Sequence, residues 1–418
     1  MSAAMPAPDL LAQTFLDELK RHTADPPGVT RDAYGPGEAA AQALLHRHAT
    51  ELGLDVTIDH AGNLYATLPG RDREAPRWII GSHLDSVPHG GNFDGAAGIA
   101  AGLALLADIG RGARMPARAI TLMAIRAEES TWFPASYIGS RAAFGLLRPD
   151  ELALRRSDTG RTLDAHLRES GFDPDRLMGE PPALLPAQVH GFIEVHIEQG
   201  PTLVLENKPI GLVSAIAGSF RYREAAILGI YGHSGAVSRK HRSDAVFAFA
   251  DFVAALDGAW NVLEAAGAHA TVTFGEVGTD PELHAFSKVP GEVRFSLDVR
   301  SGQTETLDAL HRTVAAAAGE IAARRGVTFA FGPLTGSTPA LLSTRLGAAL
   351  AANAQRRGIA HLVMPSGAGH DAAVFAQMGV PTAMVFVRNE NGSHNPDEAM
   401  RMEDLACARA VLTDLLLS

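Results

Sequence analysis

Short stretches of this 418-residue chain concentrate imidazole and carboxylate groups at close spacing. Gly-Ser-His-Leu-Asp sets His83 and Asp85 two apart, on one side of an extended backbone. Asp94 follows in Gly-Gly-Asn-Phe-Asp-Gly, and Glu128 and Glu129 are adjacent in Ala-Glu-Glu-Ser. Glu194, His196 and Glu198 alternate in Glu-Val-His-Ile-Glu, and His394 lies in Asn-Gly-Ser-His-Asn-Pro. Taken singly, each is an ordinary surface feature: a histidine at a strand end, an acidic loop. Together they point to a cation, because Glu128 and Glu129 follow an apolar run and an unpaired buried charge pair is costly. Imidazole with hard oxygen donors suits zinc, manganese or cobalt. The lone Cys407 excludes a thiolate cage and a disulfide framework. A histidine count of 17, against 5 tyrosines and 3 tryptophans, fits an imidazole-based site.

The elements that must position these residues read as alternating strands and helices. Helical patterns are expected over 1–24 and 38–52, and two strands joined at Gly62 over 54–69. Apolar runs at 77–83, 119–126, 191–197 and 382–387 predict buried strands, with helices from Gly95 to Ile109, near 341–357 and at 371–378. Continuous apolar strands separated by helices imply a mostly parallel sheet covered on both faces. Ligands collect at the carboxyl ends of such strands, where the histidines and acids fall. Residues 221–332 read strand, helix, strand, strand, helix, strand, the split βαβ order. The expected layout is therefore an α/β domain at 1–213 and 334–418, interrupted by an α+β ferredoxin-like domain at 214–333.

The 36 basic and 47 acidic residues leave a formal charge of −11, which argues against a nucleic-acid partner. With 46% apolar and 20% charged residues the composition is globular. No apolar run is expected to reach the ~18–20 residues of a membrane span, and residues 1–24 do not read as a secretory signal. The expectation is a cytoplasmic enzyme without membrane or nucleic-acid partners.

In order along the chain, Gly-Ser-His-Leu-Asp, Gly-Gly-Asn-Phe-Asp-Gly, Ala-Glu-Glu, Val-His-Ile-Glu-Gln-Gly, Gly-His-Ser-Gly followed by Arg-Ser-Asp-Ala (Arg242 and Asp244), Leu-Asp-Val-Arg, Pro-Ser-Gly-Ala-Gly-His-Asp and Ser-His-Asn-Pro resemble the M20 metallohydrolases. The resemblance is to the amidase branch of N-carbamoyl-L-amino-acid hydrolases, allantoate amidohydrolases and β-ureidopropionases. It runs from about residue 10 to the C-terminus and implies a zinc-exopeptidase-like fold whose inserted domain serves as a lid and dimerisation domain. It also implies two divalent metal ions per subunit, zinc first, with manganese or cobalt as alternatives. His83, Asp94 and His196 would hold one ion; Asp94, Glu129 and His394 the other. Asp85 would orient His83, and Glu128 would act as general base. His233 would stabilise the oxyanion, and Arg300 would clamp a substrate carboxylate. Gln199, Ser366, Gly367 and His370 would line the pocket. With His233 and Arg300 on the insertion and the metal ligands on the main domain, the layout predicts closure over substrate, hinged at the glycine-rich joins near Gly218 and Gly332–Pro333, and the resemblance also implies a homodimer through the insertion.

Three positions depart from the family pattern. Ser130-Thr131-Trp132-Phe133 replaces a Gly followed by Arg-Phe, which predicts a narrower, more apolar pocket beside Trp132 and a bulky or aromatic substrate. Ser287 stands where an Asn usually helps bind the substrate carboxylate, and Ser-Gly-Ala-Val-Ser-Arg-Lys-His-Arg follows His233 in place of a small-Thr-Thr-Pro-Met pattern. The leading expectation is hydrolysis of a linear C–N bond in an N-carbamoyl or N-acyl amino acid. The alternatives are an N-acyl amino acid or dipeptide hydrolase with the same centre, and a non-catalytic binder that keeps the fold.

Overall fold

A computed structural model describes residues 7–112 and 115–417 and divides the chain into two compact units. One comprises Met1–Ser214, Leu342–Met364 and His370–Ser418; the other comprises Ala215–Leu341 and Pro365–Gly369. Of the expected N-terminal helix, Pro8–His22 is formed, and residues 1–6 lie outside the described residues.

The first unit is built on a mixed sheet. Four strands, Thr382–Val387, Val189–Ile197, Arg77–His83 and Ile120–Ile125, lie parallel and adjacent in that order. Ile210–Ile216 extends one side antiparallel, and Leu64–Leu68 followed by Asp55–Ile58 extends the other. The parallel strands are buried along almost their whole length, which is why they read as unbroken apolar runs. Their common direction sends the chain after each one to the same edge of the sheet.

The helix Ala96–Arg111 packs on this sheet and is buried nearly all round. Its small residues permit the approach: a Cβ at Gly98 would stand 2.0 Å from the Val195 carbonyl oxygen. Gly95, just before the helix, has φ of 65°, and a Cβ there would meet His83 Nε2 at 2.5 Å. Glycine is required twice over at this corner, by backbone conformation and by space.

The second unit carries an antiparallel sheet in the order Ala270–Thr273, Glu292–Ser301, Gly218–Leu228, Thr328–Ala330. With the helices Ala245–Ala265 and Thr304–Arg325 this is the ferredoxin-like β-α-β-β-α-β arrangement. Its own core is formed by Phe252, Phe295, Leu310 and Val314 among others.

The expectation that no apolar run is long enough for a bilayer is corrected by Ala245–Ala265. This helix has 21 residues and a mean hydropathy of 1.4, enough to cross a membrane by length and composition alone. Asp251, Asp257 and Glu264 interrupt the run in the sequence. Phe252 and Leu256 are buried in the core of the second unit, where the helix forms one layer.

Candidate metal centre

The residues that leave the parallel strands converge. His83 ends its strand, His196 lies near the end of the next, and Asp94 precedes the helix that Gly95 introduces. His196 Nε2 lies 3.0 Å from Asp94 Oδ1, and His83 Nε2 lies 3.6 Å from the same oxygen. On the other side of the carboxylate, His394 Nε2 is 3.1 Å from Asp94 Oδ2 and 3.1 Å from Glu129 Oε1. Two ligand groups result, His83-Asp94-His196 and Asp94-Glu129-His394, with Asp94 common to both.

Hydrogen bonding leaves these groups aimed at cations. His83 Nδ1 donates to the Asp85 carbonyl at 3.0 Å, and His196 Nδ1 to the Ile197 carbonyl at 2.9 Å. Each ring therefore turns an Nε2 lone pair inward, and the two Nε2 atoms stand 3.3 Å apart. Two lone pairs at that distance repel unless a cation joins them. Asp94 Oδ1 is buried and accepts no hydrogen bond, a second unmet demand for positive charge. The hydrogen-bonded carboxylates of Asp94 and Glu129 raise His394 to about 10. The donor set of imidazole and carboxylate fits two divalent ions.

Around the ligands lies a supporting layer that sequence reading saw only in part. Asp85 is fully buried; its Oδ1 accepts from the Glu128 amide and its Oδ2 from the Glu129 amide, each at 3.1 Å. It thus fixes the acidic pair while its own backbone carbonyl, with Oδ1 at 3.5 Å, faces His83 Nδ1. Glu398 was missed: Oε1 accepts from the amides of Phe93 and Asp94, and Oε2 from Ser393 Oγ. It ties the Asp94 turn to the His394 loop across some 300 residues of chain. Arg31, also missed, is fully buried and donates to the Leu84 carbonyl at 2.6 Å and to Asn92 Oδ1 at 3.3 Å. No local spacing marks either residue.

Glu128 differs from its neighbours. Its carboxylate accepts no hydrogen bond among the described residues, and burial pushes it well above the usual range. Repulsion from Glu129, Asp371 and Asp85 adds to the rise, against the opposing pull of His83. A carboxyl that holds its proton readily beside a ligand set is suited to proton transfer.

The other expected site residues divide between the units. Gln199, at φ of 64°, donates to Asp94 Oδ2 at 3.0 Å, so it touches the shared carboxylate directly. His370 is buried with its ring centroid 4.6 Å from that of His196, and burial lowers it well below the usual histidine value. Glu194 holds the Ala372 amide and Ser82 Oγ, and Glu198 caps the Thr202 and Leu203 amides.

His233, Ser287, Arg300, Ser366 and Gly367 belong to the second unit. His233 is exposed beside Lys288–Val289, and the Ser287 carbonyl accepts from the Ser234 amide. Arg300 gives two hydrogen bonds to Asp298 Oδ2, at 3.1 and 2.8 Å, and one to the Gly367 carbonyl at 3.2 Å. Ser366 Oγ bonds within its own turn to Ala368.

Trp132 is held within the first unit. Its indole is buried in a satellite core, Nε1 donates to the Ser86 carbonyl at 2.8 Å, and Arg156 covers the ring at 4.8 Å. Packing and this hydrogen bond fix the orientation of the ring.

Residues 79–418 match peptidase family M20/M25/M40. The chain belongs to this family. It is 34% identical over 390 residues to an N-carbamoyl-L-amino acid amidohydrolase of Geobacillus stearothermophilus, covering 92% of each chain. It is 30% identical over 390 residues to an allantoate amidohydrolase of Bacillus subtilis (strain 168), covering 93% of this chain and 92% of that one. Among solved structures it is similar to an amidase of the hydantoinase/carbamoylase family from Burkholderia multivorans. That similarity has a TM-score of 0.87 and 29% identity, covering 98% of this chain and 97% of the other. The chain is an amidohydrolase of the M20 family.

Proposed function

We propose that this protein hydrolyses the linear ureido C–N bond of an N-carbamoyl amino acid or an allantoate-like ureido acid, with two divalent ions, zinc in the first instance, held by His83, Asp94, Glu129, His196 and His394. The observation that carries the proposal is the placement of Asp94 between two ligand groups, with the unbonded carboxyl of Glu128 beside them. Bound there, two divalent ions supply a water ionised near neutral pH and a polarised scissile carbonyl.

Glu128 takes the proton of the attacking water and returns it to the leaving nitrogen. Asp85 keeps Glu128 and Glu129 in register through their amides. On the inserted unit, His233 donates to the developing oxyanion and Arg300 binds the substrate carboxylate, with Ser287, Ser366 and Gly367 nearby in sequence motifs and His370 and Gln199 on the main unit. Homodimerisation through the inserted unit and its closure over the main one belong to the same proposal. Hydrolysis of an N-carbamoyl substrate consumes one water and releases carbon dioxide, ammonia and the free amino acid.

The test is a substrate series of N-carbamoyl, ureido, N-acyl and dipeptide compounds, read for both ammonia and free amine. Ammonia released in step with amine from N-carbamoyl or ureido compounds is the expected result. Amine without ammonia, confined to N-acyl compounds or dipeptides, would overturn the substrate class in favour of an acylase or dipeptidase.

A further inference from the structure

The cations at 239–241 lie where the sequence departs from its family, and the reaction proposed above uses none of them. They form a single tight helical turn, Arg239–His241, just before Asp244 caps Ala245–Ala265. With the carboxyl end of Thr304–Arg325, this turn lines a cleft of about 1370 Å³ that lies wholly within the second unit.

The lining is strongly cationic. Arg239, Lys240, Arg242, Arg324 and Arg325 face it against two carboxylates, Asp244 and Asp251. Five positive and two negative charges leave +3 with histidine neutral, in a chain whose total is −11. Some of these groups are spoken for. Arg324 and Arg325 share Asp251, at 2.9 and 2.7 Å, and Arg242 donates to the carbonyls of Val237 and Ser234. The exposed side chains of Arg239 and Lys240 have no hydrogen-bond or ion-pair partner among the described residues. Phe247, 55% exposed, lines the same cleft, and the Arg325 guanidinium stands 5.5 Å from its ring centroid.

Like charges gathered on one concavity repel one another, and an anion bound among them relieves that repulsion. The overall negative charge of the chain disfavours approach of an extended polyanion such as a nucleic acid or an anionic membrane. A small anion inside the cleft lies within the Debye length of about 8 Å at physiological salt, so the local +3 governs it. An exposed aromatic ring beside the cations adds a platform for a flat group.

We propose that this cleft binds a small molecule carrying a dianionic phosphate next to a flat apolar group, the chemistry of a nucleoside monophosphate. Arg239 and Lys240 take the phosphate through charge-assisted hydrogen bonds, and Phe247 takes the flat group. Asp251 holds Arg324 and Arg325 in ion pairs. The cleft also takes in Ser234 and Gly235, which follow His233, while the cations proposed to hold the phosphate have no part in the reaction proposed above.

The experiment is calorimetric titration of the full-length, metal-loaded protein with adenosine monophosphate and, separately, ribose 5-phosphate. Saturable binding of both at one site per chain is expected, with adenosine monophosphate the tighter. The double variant Arg239→Ala/Lys240→Ala should weaken both ligands at least about tenfold, the loss of two charge-assisted contacts. Phe247→Ala should weaken adenosine monophosphate and leave ribose 5-phosphate unchanged. The charge-conserving Arg239→Lys, which keeps the fold and the cation, should bind within a few-fold of the parent. No saturation up to about 10 mM ligand would overturn the proposal. So would undiminished binding to the double variant, which would remove Arg239 and Lys240 as the phosphate ligands.

Discussion

Replacing Asp85 with Asn tests whether the buried carboxylate organises the acidic pair. Both oxygens are in use, each accepting a backbone amide at 3.1 Å, and the residue is fully buried. Asparagine is nearly isosteric but offers one acceptor; its amide nitrogen would face a backbone N–H, donor against donor. One hydrogen bond to a charged acceptor is lost, about 1.5–3 kcal/mol, and one buried amide is left unsatisfied, about 1–3 kcal/mol. The two terms overlap, so a net loss of about 3 kcal/mol is expected locally, in the backbone that presents Glu128 and Glu129. Displacing a group that supports metal ligands typically costs about 10–100-fold in metal affinity or activity. The assay pairs initial rates of amine release with competition against a chromophoric chelator, and far-ultraviolet circular dichroism confirms the fold. Rates and metal affinity both within about twofold of the parent would refute the role given to Asp85.

Glu128→Gln should lower turnover by about 10²–10⁴ while metal content, read by elemental analysis, stays that of the parent; retained turnover would remove Glu128 as the base. Gly95→Ala should cost at least about 1 kcal/mol of stability and weaken metal binding, because φ of 65° disfavours alanine and the new Cβ would press on His83; unchanged melting and metal affinity would contradict it. Burial alone would raise Glu151, but the Arg141 guanidinium, at 2.7 Å from each oxygen, and the Arg148 amide outweigh it and hold the carboxyl below its ordinary value of 4.5. A depressed carboxyl contributes stability that is complete above the ordinary value and lost as the pH falls through the lowered one. The stability gap between parent and Glu151→Gln, from denaturation at several pH values, should therefore be full at neutral pH and shrink on acidification below 4.5. A gap that widened in acid would have the wrong sign.

The strands that matter were legible because each is buried on both faces and flanked by glycine or polar residues. Arg77–His83 and Thr382–Val387 fall at the expected residues, and Ile120–Ile125 and Val189–Ile197 lie within two residues of expectation. The convergence of His83, Asp94, Glu129, His196 and His394 was legible for the same reason: strand ends of one parallel sheet share an edge. Long-range support was not. Glu398 acts on Asp94 from a distant loop, and Arg31 binds the Leu84 carbonyl across 53 residues of chain, contacts that no local pattern encodes. Alternation in Glu-Val-His-Ile-Glu suggested one working face, yet Glu198 caps a short helix and Glu194 holds the Ala372 amide. At Ala245–Ala265 the helix was legible, but its three scattered acids hid how apolar its full length is.

Metal stoichiometry addresses the shared carboxylate of Asp94 most directly. Zinc-loaded, desalted protein should carry two ions per chain by inductively coupled plasma mass spectrometry, and Asp94→Ala, folded by circular dichroism, should carry fewer than one. A parent that binds a single ion or none, or an Asp94→Ala variant that still holds two, would contradict a centre built on that residue.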